Sequence, residues 1–182
     1  MPKGTQGRER AEERAAASSV NAERPHAWGV ALKLLAMRAH TTQEVRQRLA
    51  RRGYPPDEVA AVIARLASAK YLDDLDFART WVRSRAVRPG LGPTRLAREL
   101  RAKGIGEAEI GAALAEFPAE RTLREVAEEV AARKLQTLQG LDPSIAYRRL
   151  AAHLTRRGFA WEIISAVCRK FFSGTADSDE EP

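Results

Sequence analysis

Cysteine is almost absent from the sequence, which contains a single one, Cys168. One thiol cannot form a disulfide within the chain, and it cannot build a cysteine-based zinc cluster. Long apolar runs are lacking too. No stretch approaches the ~20 apolar residues that span a bilayer, and the opening MPKGTQGRER has no apolar core typical of a signal peptide. We therefore expect a cytosolic protein with no membrane segment.

The residue patterns of catalytic, metal and cofactor sites are also missing. His26, His40 and His153 have no carboxylate or second histidine at ligand spacing on the same helix face, so neither a metal ligand nor a general base is expected. The 12 glycines mark turns and form no phosphate-binding loop. The aspartates of YLDDLD stand where a helix start favours acids, which indicates capping and not magnesium binding. The sequence thus predicts a protein that is not an enzyme and holds no cofactor.

What the sequence does contain is helix-forming residues and positive charge. The 182 residues are rich in Ala, Leu, Arg and Glu with helical periodicity, and no alternating strand pattern occurs. The formal net charge is +7, although four of the acids are concentrated in the terminal DSDEEP. Such an excess favours a polyanion or an acidic protein surface as partner, with solubility alone as the alternative.

A short pattern occurs three times. LARRGYPPDEV, LRAKGIGEAEI and LTRRGFAWEII begin at Leu49, Leu100 and Leu154, and their glycines lie 51 and 54 residues apart. Apolar residues also recur eight positions before each glycine and one, six and ten positions after it, with Cys168 at the last position of the third copy. This spacing indicates an internal repeat, and it predicts that Cys168 is a small buried core residue.

Each copy predicts a helix that ends at its glycine and a second helix that begins about two residues later. Gly53, for example, suits the left-handed conformation just past a helix end, and Leu49 and Tyr54 then stand at the two positions that pack together in a Schellman motif. Acids follow in the first turn of the next helix, and cations precede the glycine, which complements both helix dipoles. The repeated device is a helix–turn–helix corner.

A further helix precedes each corner, over residues 27–39, 74–87 and 122–138. The second of these shows Asp73 as its N-cap and Leu75, Phe77, Ala78 and Trp81 as its buried stripe. The predicted fold is therefore all-α: an elongated array of three tandem three-helix repeats, with nine helices. The expected organisation is a disordered N-terminal arm at 1–24, repeats at 25–71, 72–118 and 119–172, and a disordered acidic tail at 173–182.

Twelve cations on the corner helices are the candidate binding residues. Helix dipoles account for one or two cations per helix end, but not for four per helix, so we interpret the set as a basic ridge that contacts acidic protein or nucleic-acid phosphates. The candidates are Arg46, Arg48, Arg51, Arg52, Arg95, Arg98, Arg101, Lys103, Arg148, Arg149, Arg156 and Arg157. The second helix of each corner is acidic and then apolar, which argues against sequence-specific reading of DNA bases.

The order of several motifs resembles the RecX family of regulatory proteins. ALKLLAMRAHTTQEVRQRLARRGY is followed by LASAKYLDDLDFARTWVRSR, GPTRLARELRAKGI and LAAHLTRRGFAWEIISAV, from about Trp28 to Phe172. The resemblance implies a non-enzymatic, helical protein that lies in the groove of the RecA–single-stranded DNA filament. It further implies inhibition of RecA ATPase, filament extension and strand exchange, and so a part in recombination, DNA repair and the SOS response. The positions that resemble structural residues of the family are Tyr71, Leu72, Asp73, Asp74, Phe77 and Ala78.

Two other functions remain open from the sequence. One is a DNA-binding helix–turn–helix protein or transcription regulator, which would bind DNA without RecA. The other is a helical scaffold that binds neither. We expect a monomer that contacts single-stranded or double-stranded DNA, if at all, through phosphates and without sequence specificity.

Overall fold

The computed structural model describes residues 25–87, 90–116 and 123–173, and over these residues it contains nine helices and no strand. The all-α prediction is thus confirmed. The arm at 1–24 and residues 174–182 of the tail lie outside the described residues. In chain order the helices are α1 (Ala27–Met37), α2 (Thr42–Arg51), α3 (Pro56–Ser68), α4 (Asp74–Val87), α5 (Pro93–Ala102), α6 (Glu107–Ala115), α7 (Leu123–Gln136), α8 (Pro143–Arg157) and α9 (Trp161–Phe172).

The helices group into three units, each with a hydrophobic core of its own. The first unit is α1 to α3, the second α4 to α6 and the third α7 to α9. The repeat leucines Leu49, Leu100 and Leu154 are all 0% exposed and lie in the three cores. Leu72 packs in the first core, although it follows α3. The prediction of three tandem three-helix repeats is confirmed.

The three corners have the geometry that the Leu–Gly spacing predicts. The glycines at 53, 104 and 158 have φ of +80°, +79° and +87°. In each corner the amide of the following residue donates to the carbonyl of the repeat leucine, at 3.1–3.3 Å, as for Tyr54 and Leu49. The glycine amide itself donates three residues back, at 2.9 Å. These are the two hydrogen bonds of a Schellman motif, and the next helix begins three residues after each glycine.

Helix α4 begins as predicted and differs in its buried stripe. The Asp73 carboxylate accepts a hydrogen bond from the Asp76 amide at 3.0 Å, so Asp73 caps the helix. Ala78 is fully buried, whereas Leu75, Phe77 and Trp81 are only half-buried, and Phe77 and Trp81 pack against the edge of the second core. Their rings stack with centroids 5.8 Å apart, and the Lys103 ammonium lies 4.4 Å from the Trp81 centroid. Lys103, at the end of α5, therefore covers the part of the Trp81 ring that does not pack in the core.

The second and third units meet through helix ends. The amide of Gly92 donates to the carbonyl of Arg157 at 2.8 Å, and the amide of Thr94 donates to the carbonyl of Gly158 at 3.3 Å. The unpaired amides at the N-terminus of α5 thus bond the unpaired carbonyls at the C-terminus of α8. A positive helix end meets a negative one, which is favourable for both dipoles.

The first and second units meet through the equivalent helix ends, with a side-chain hydroxyl as the donor instead of backbone amides. The hydroxyl of Thr41, at the N-terminus of α2, donates to the carbonyl of Lys103 at the C-terminus of α5, at 2.7 Å. The same hydroxyl accepts from the Glu44 amide at 3.1 Å and so caps α2. In both junctions the second helix of one unit therefore places its N-terminus against the corner of the next unit. At the end of the series, the N-terminus of α8 is capped by its own Asp142.

Gly111 gives a direct test of the helix assignment in the second unit. It lies inside α6 with an exposed position, and a Cβ added there meets no atom within 4 Å. Gly111→Ala should therefore raise the free energy of unfolding by about 0.5–1 kcal/mol, because alanine loses less backbone entropy in a helix. Urea denaturation measures the change, and a variant less stable than the wild type would contradict the placement of Gly111.

Candidate partner-binding surface

Most of the twelve candidate cations lie on the solvent side of the corner helices. In helix α2, for example, Val45 and Leu49 are buried in the core, so the opposite face of the helix, with its arginines, is exposed to water. Each of the three units carries four of these cations, on its corner helix or directly after it. Nine of the cations are exposed, namely Arg46, Arg48, Arg51, Arg52, Arg98, Arg101, Arg148, Arg149 and Arg156, and three are half-buried, namely Arg95, Lys103 and Arg157.

Among the described residues, ion pairs are seen for three of these cations. Arg101 donates to Glu107 at 2.8 Å, and Arg95 donates to Glu99 at 3.1 Å. Exposed pairs of this kind stabilise a fold by only about 0–1 kcal/mol, so both arginines can exchange their partner for another anion. Lys103 differs, because its ammonium reaches across the first junction to a half-buried carboxylate. Its role is therefore partly structural.

That carboxylate is Glu44, the centre of a charged network at the first junction. Its oxygens accept hydrogen bonds from Lys103 at 2.8 Å and Arg38 at 3.0 Å, and lie 2.9 Å from His40 Nδ1. The expectation that no histidine has a nearby carboxylate is wrong for His40, which is 4% exposed and stands one turn before Glu44. Burial raises the pKa of Glu44, but the hydrogen bonds from Lys103, His40 and Arg38 outweigh it and lower the pKa from 4.5 to about 2.

The lowered pKa predicts how the first junction responds to acid. Because the folded protein holds Glu44 ionised, the stabilisation is complete above pH 4.5 and is lost as the pH falls from 4.5 toward 2. Glu44→Gln should lower the free energy of unfolding at neutral pH by about 1.5–3 kcal/mol, the range for hydrogen bonds to charged groups. Urea denaturation at several pH values should also show a smaller loss of stability in acid for the variant, and an equal loss would contradict this role.

The second junction contains a cluster of positively charged side chains. Two adjoining clefts of about 220 Å³ each lie between α5, α7 and α8, and they share His153 and Arg157. We call them the junction cleft. It brings together the predicted residues Arg95, Arg156 and Arg157. Its lining residues are Leu91, Arg95, Val130, Arg133, Lys134, Thr137, His153, Arg156 and Arg157.

Sequence reasoning missed three members of this cluster. Arg133 and Lys134 stand in the last turn of α7, where cations also complement the helix dipole. His153 was expected on a partly exposed helix surface, and it is indeed half-buried. Only the packing of α7 against α8 brings these side chains together, so no local signal in the sequence could have found them.

The electrostatics of the junction cleft follow from this crowding. Burial lowers the pKa of His153 below its ordinary 6.5, and the charges of Arg157, Lys134 and Arg156 lower it further. Burial also lowers the pKa of Arg157, with the charge of Arg133 as a second cause. Both groups therefore lie in a positive potential, and an anion that entered the cleft would relieve it.

Other candidate chemistries find little support. Cys168 is 0% exposed, which confirms it as a core residue, and burial raises the pKa of its thiol. Within the described ranges, no group of three His, Cys, Asp or Glu side chains could hold a metal ion. Among the same residues, no helix has the length and apolar character needed to cross a membrane.

Comparison with known families agrees with this architecture unit by unit. The family models for the first, second and third three-helix domains of RecX match residues 27–66, 73–114 and 123–168. Together these matches span well over half of the chain. The chain belongs to the RecX family. The two relatives described next are both named regulatory protein RecX.

Two RecX relatives show how far the similarity extends. The regulatory protein RecX of Mycobacteroides abscessus is 39% identical over 160 residues, which cover 87% of this chain and 78% of that protein. The regulatory protein RecX of Pelodictyon phaeoclathratiforme is 33% identical over 156 residues, covering 86% of this chain and 95% of that protein. The similarity therefore includes all three units.

Solved RecX structures share the fold. A crystal structure of a regulatory protein RecX aligns with a TM-score of 0.72 at 24% identity, covering 86% of this chain and 76% of that one. The crystal structure of RecX from Lactobacillus salivarius gives a TM-score of 0.71 at 20% identity, covering 79% of this chain and 93% of that one. At these identities the likeness concerns the fold alone.

Proposed function

We propose that this RecX-family protein binds in the groove of the RecA–single-stranded DNA filament and lowers RecA ATP hydrolysis, filament extension and strand exchange. It acts in the cytosol as a regulator of recombination and DNA repair, without catalytic activity of its own. The observation that supports this most is the repetition of one junction, which stacks successive units through equivalent helix ends. A repeating array is suited to a partner that also repeats.

The charges fit such a partner. Each unit presents exposed cations on its corner helix, for example Arg48, Arg98 and Arg148. A filament with repeating acidic protein surfaces and DNA phosphates would contact one basic group from each of the three units. Several weak contacts then add up to stronger binding. A protein held at several points would bridge neighbouring RecA subunits. Bridging opposes the subunit movements and additions that accompany ATP turnover and growth.

The helices after the corners are poorly suited to direct reading of DNA bases. In a DNA-reading helix–turn–helix protein the second helix lies in the major groove and presents polar side chains to base edges. Here α3 buries Val59, Ile63 and Leu66, and α9 buries Val167 and Cys168. These helices are core elements. Their burial favours the filament regulator over a sequence-specific DNA-binding protein.

ATP hydrolysis by RecA on single-stranded DNA tests the proposal. Adding the protein at increasing ratios to RecA should lower the hydrolysis rate until the filament is saturated. The control is RecA with the same amount of an unrelated basic protein of similar size, which should have little effect at physiological salt. Undiminished hydrolysis at stoichiometric amounts would overturn the proposal.

A further inference from the structure

The two junctions are built from equivalent residues but carry different charges. Aligned on the corner glycines, Glu44 of the first junction corresponds to Arg95 of the second, and Lys103 corresponds to Arg157. In the first junction Glu44 and Lys103 form an ion pair at 2.8 Å. In the second junction the same two positions are both arginine. The carboxylate that neutralises one junction is therefore replaced by a cation in the other.

Nearby residues increase this excess of positive charge. Arg133 and Lys134 from α7 and Arg156 from α8 line the junction cleft, and these three form no ion pair among the residues that the structure describes. No carboxylate of the described residues lines the cleft. Arg95 does donate to Glu99, on its own helix. Like charges that line one cleft repel one another, and no carboxylate among the described lining residues offsets them.

We propose that the junction cleft is a phosphate-binding site that takes the backbone of a nucleic-acid strand. A phosphate there occupies the place that the Glu44 carboxylate has in the first junction. Arginine suits this ligand, because its planar guanidinium can donate two hydrogen bonds to a phosphate. The inference concerns the protein alone and stands whether or not RecA is its partner.

The shape of the cleft favours a strand over a single free anion. Its two compartments adjoin and share His153 and Arg157, so they suit two neighbouring phosphates of one chain. The apolar lining by Leu91 and Val130 is small and leaves no stacking platform for bases. Binding should therefore depend on the backbone, be insensitive to sequence and weaken steeply with salt.

His153 gives a readout inside the site. The groups that face it are Lys134 and Arg133 from α7, Arg156 and Arg157 from α8, and Arg95 from α5. A bound phosphate offsets these charges and stabilises the protonated imidazole, so the histidine should titrate at higher pH when the site is filled. His40, which is buried at the other junction beside Glu44, is the internal control.

The experiment uses the full chain without RecA. NMR of the histidine side chains follows titrations with a short oligothymidylate, with inorganic pyrophosphate and with polyglutamate. The oligothymidylate should shift His153 and not His40, pyrophosphate should do so more weakly, and polyglutamate should do so least. An unmoved His153 would overturn the site, and polyglutamate binding as tightly as the oligonucleotide would show an acidic-protein site instead.

Matched variants complete the test. Lys134→Gln/Arg156→Gln should weaken oligothymidylate binding about tenfold at low salt and reduce the salt slope by about 1.4, since each phosphate contact with a single strand contributes about 0.7. Lys33→Gln/Arg83→Gln removes the same charge from exposed positions of α1 and α4 and should have a much smaller effect. Equal weakening by both pairs would overturn the proposal. The urea midpoint of each variant confirms that it is folded.

Discussion

Gly158→Ala should lower the free energy of unfolding by about 3 kcal/mol or more, the largest stability effect expected of one methyl group in this protein. The glycine has φ of +87°, a conformation that costs other residues roughly 1–2 kcal/mol. In addition, an added Cβ would lie 2.3 Å from the amide nitrogen of Arg95 and 2.9 Å from its Cα. The second junction must open to admit it, and it loses hydrogen bonds that contribute about 1 kcal/mol each.

Two other glycines separate these causes. Gly140 has φ of +79° with no atom within 4 Å of an added Cβ, so Gly140→Ala should cost only the conformational part, about 1–2 kcal/mol. Gly92 has φ of −79°, which any residue adopts, but its Cβ would lie 2.3 Å from the Gly158 carbonyl oxygen. Gly92→Ala therefore tests the junction alone.

Urea denaturation, with amide hydrogen exchange at the N-terminus of α5, measures both effects. Gly92→Ala and Gly158→Ala should speed exchange at the Gly92 and Thr94 positions, whereas Gly140→Ala should not. If the junction variants were no less stable than Gly140→Ala, the packing of the second and third units against each other would be wrong.

Reversing two charges in the first unit should produce the largest functional effect. Arg51→Glu/Arg52→Glu should weaken binding to the RecA–single-stranded DNA filament at least tenfold, which corresponds to about 1.4 kcal/mol. Both arginines are exposed at the end of α2, and a reversed charge repels the acidic partner as well as losing an attraction. The cations Arg101 and Lys103 beside the second corner are less informative, because Lys103 also holds the first junction through Glu44.

A double variant of equal charge separates surface position from net charge. Lys33→Glu/Arg83→Glu changes the net charge by the same amount at exposed positions outside the corner helices. It should keep most of the filament affinity at physiological salt, where distant charges are screened. If both double variants weakened binding equally, the corner helices would have no special part in it.

The local structure could be predicted from the sequence because its signals are local. The Leu49–Gly53–Tyr54 spacing and its two later copies predict the helix ends, and the structure shows the corresponding hydrogen bonds at each. Asp73 is recognisable as an N-cap from its position before an apolar stripe. Predicted helix ends were less accurate: α1 ends at Met37, two residues before the predicted position.

The junctions could not be predicted, because they depend on contacts between distant segments. Glu44 and Lys103 are 59 residues apart in the chain, and only the docking of two units pairs them. Likewise, Arg95 and His153 line one cleft only because the N-terminus of α5 meets the end of α8. The repeat alignment does place Glu44 and Arg95 at equivalent positions. The consequence of this change of charge can be stated only when the structure shows which residues surround each of them.

The most direct test of filament binding is sedimentation of the protein with RecA assembled on single-stranded DNA, compared with the same DNA alone at physiological salt. At this salt concentration the phosphate contacts of the junction cleft are weak, so we expect most of the protein to stay in the supernatant when RecA is omitted and to sediment when the filament is present. Much less of the Arg51→Glu/Arg52→Glu variant should sediment with the filament. Equal sedimentation with and without RecA would contradict the proposed function, because binding to DNA alone would then account for the sedimentation.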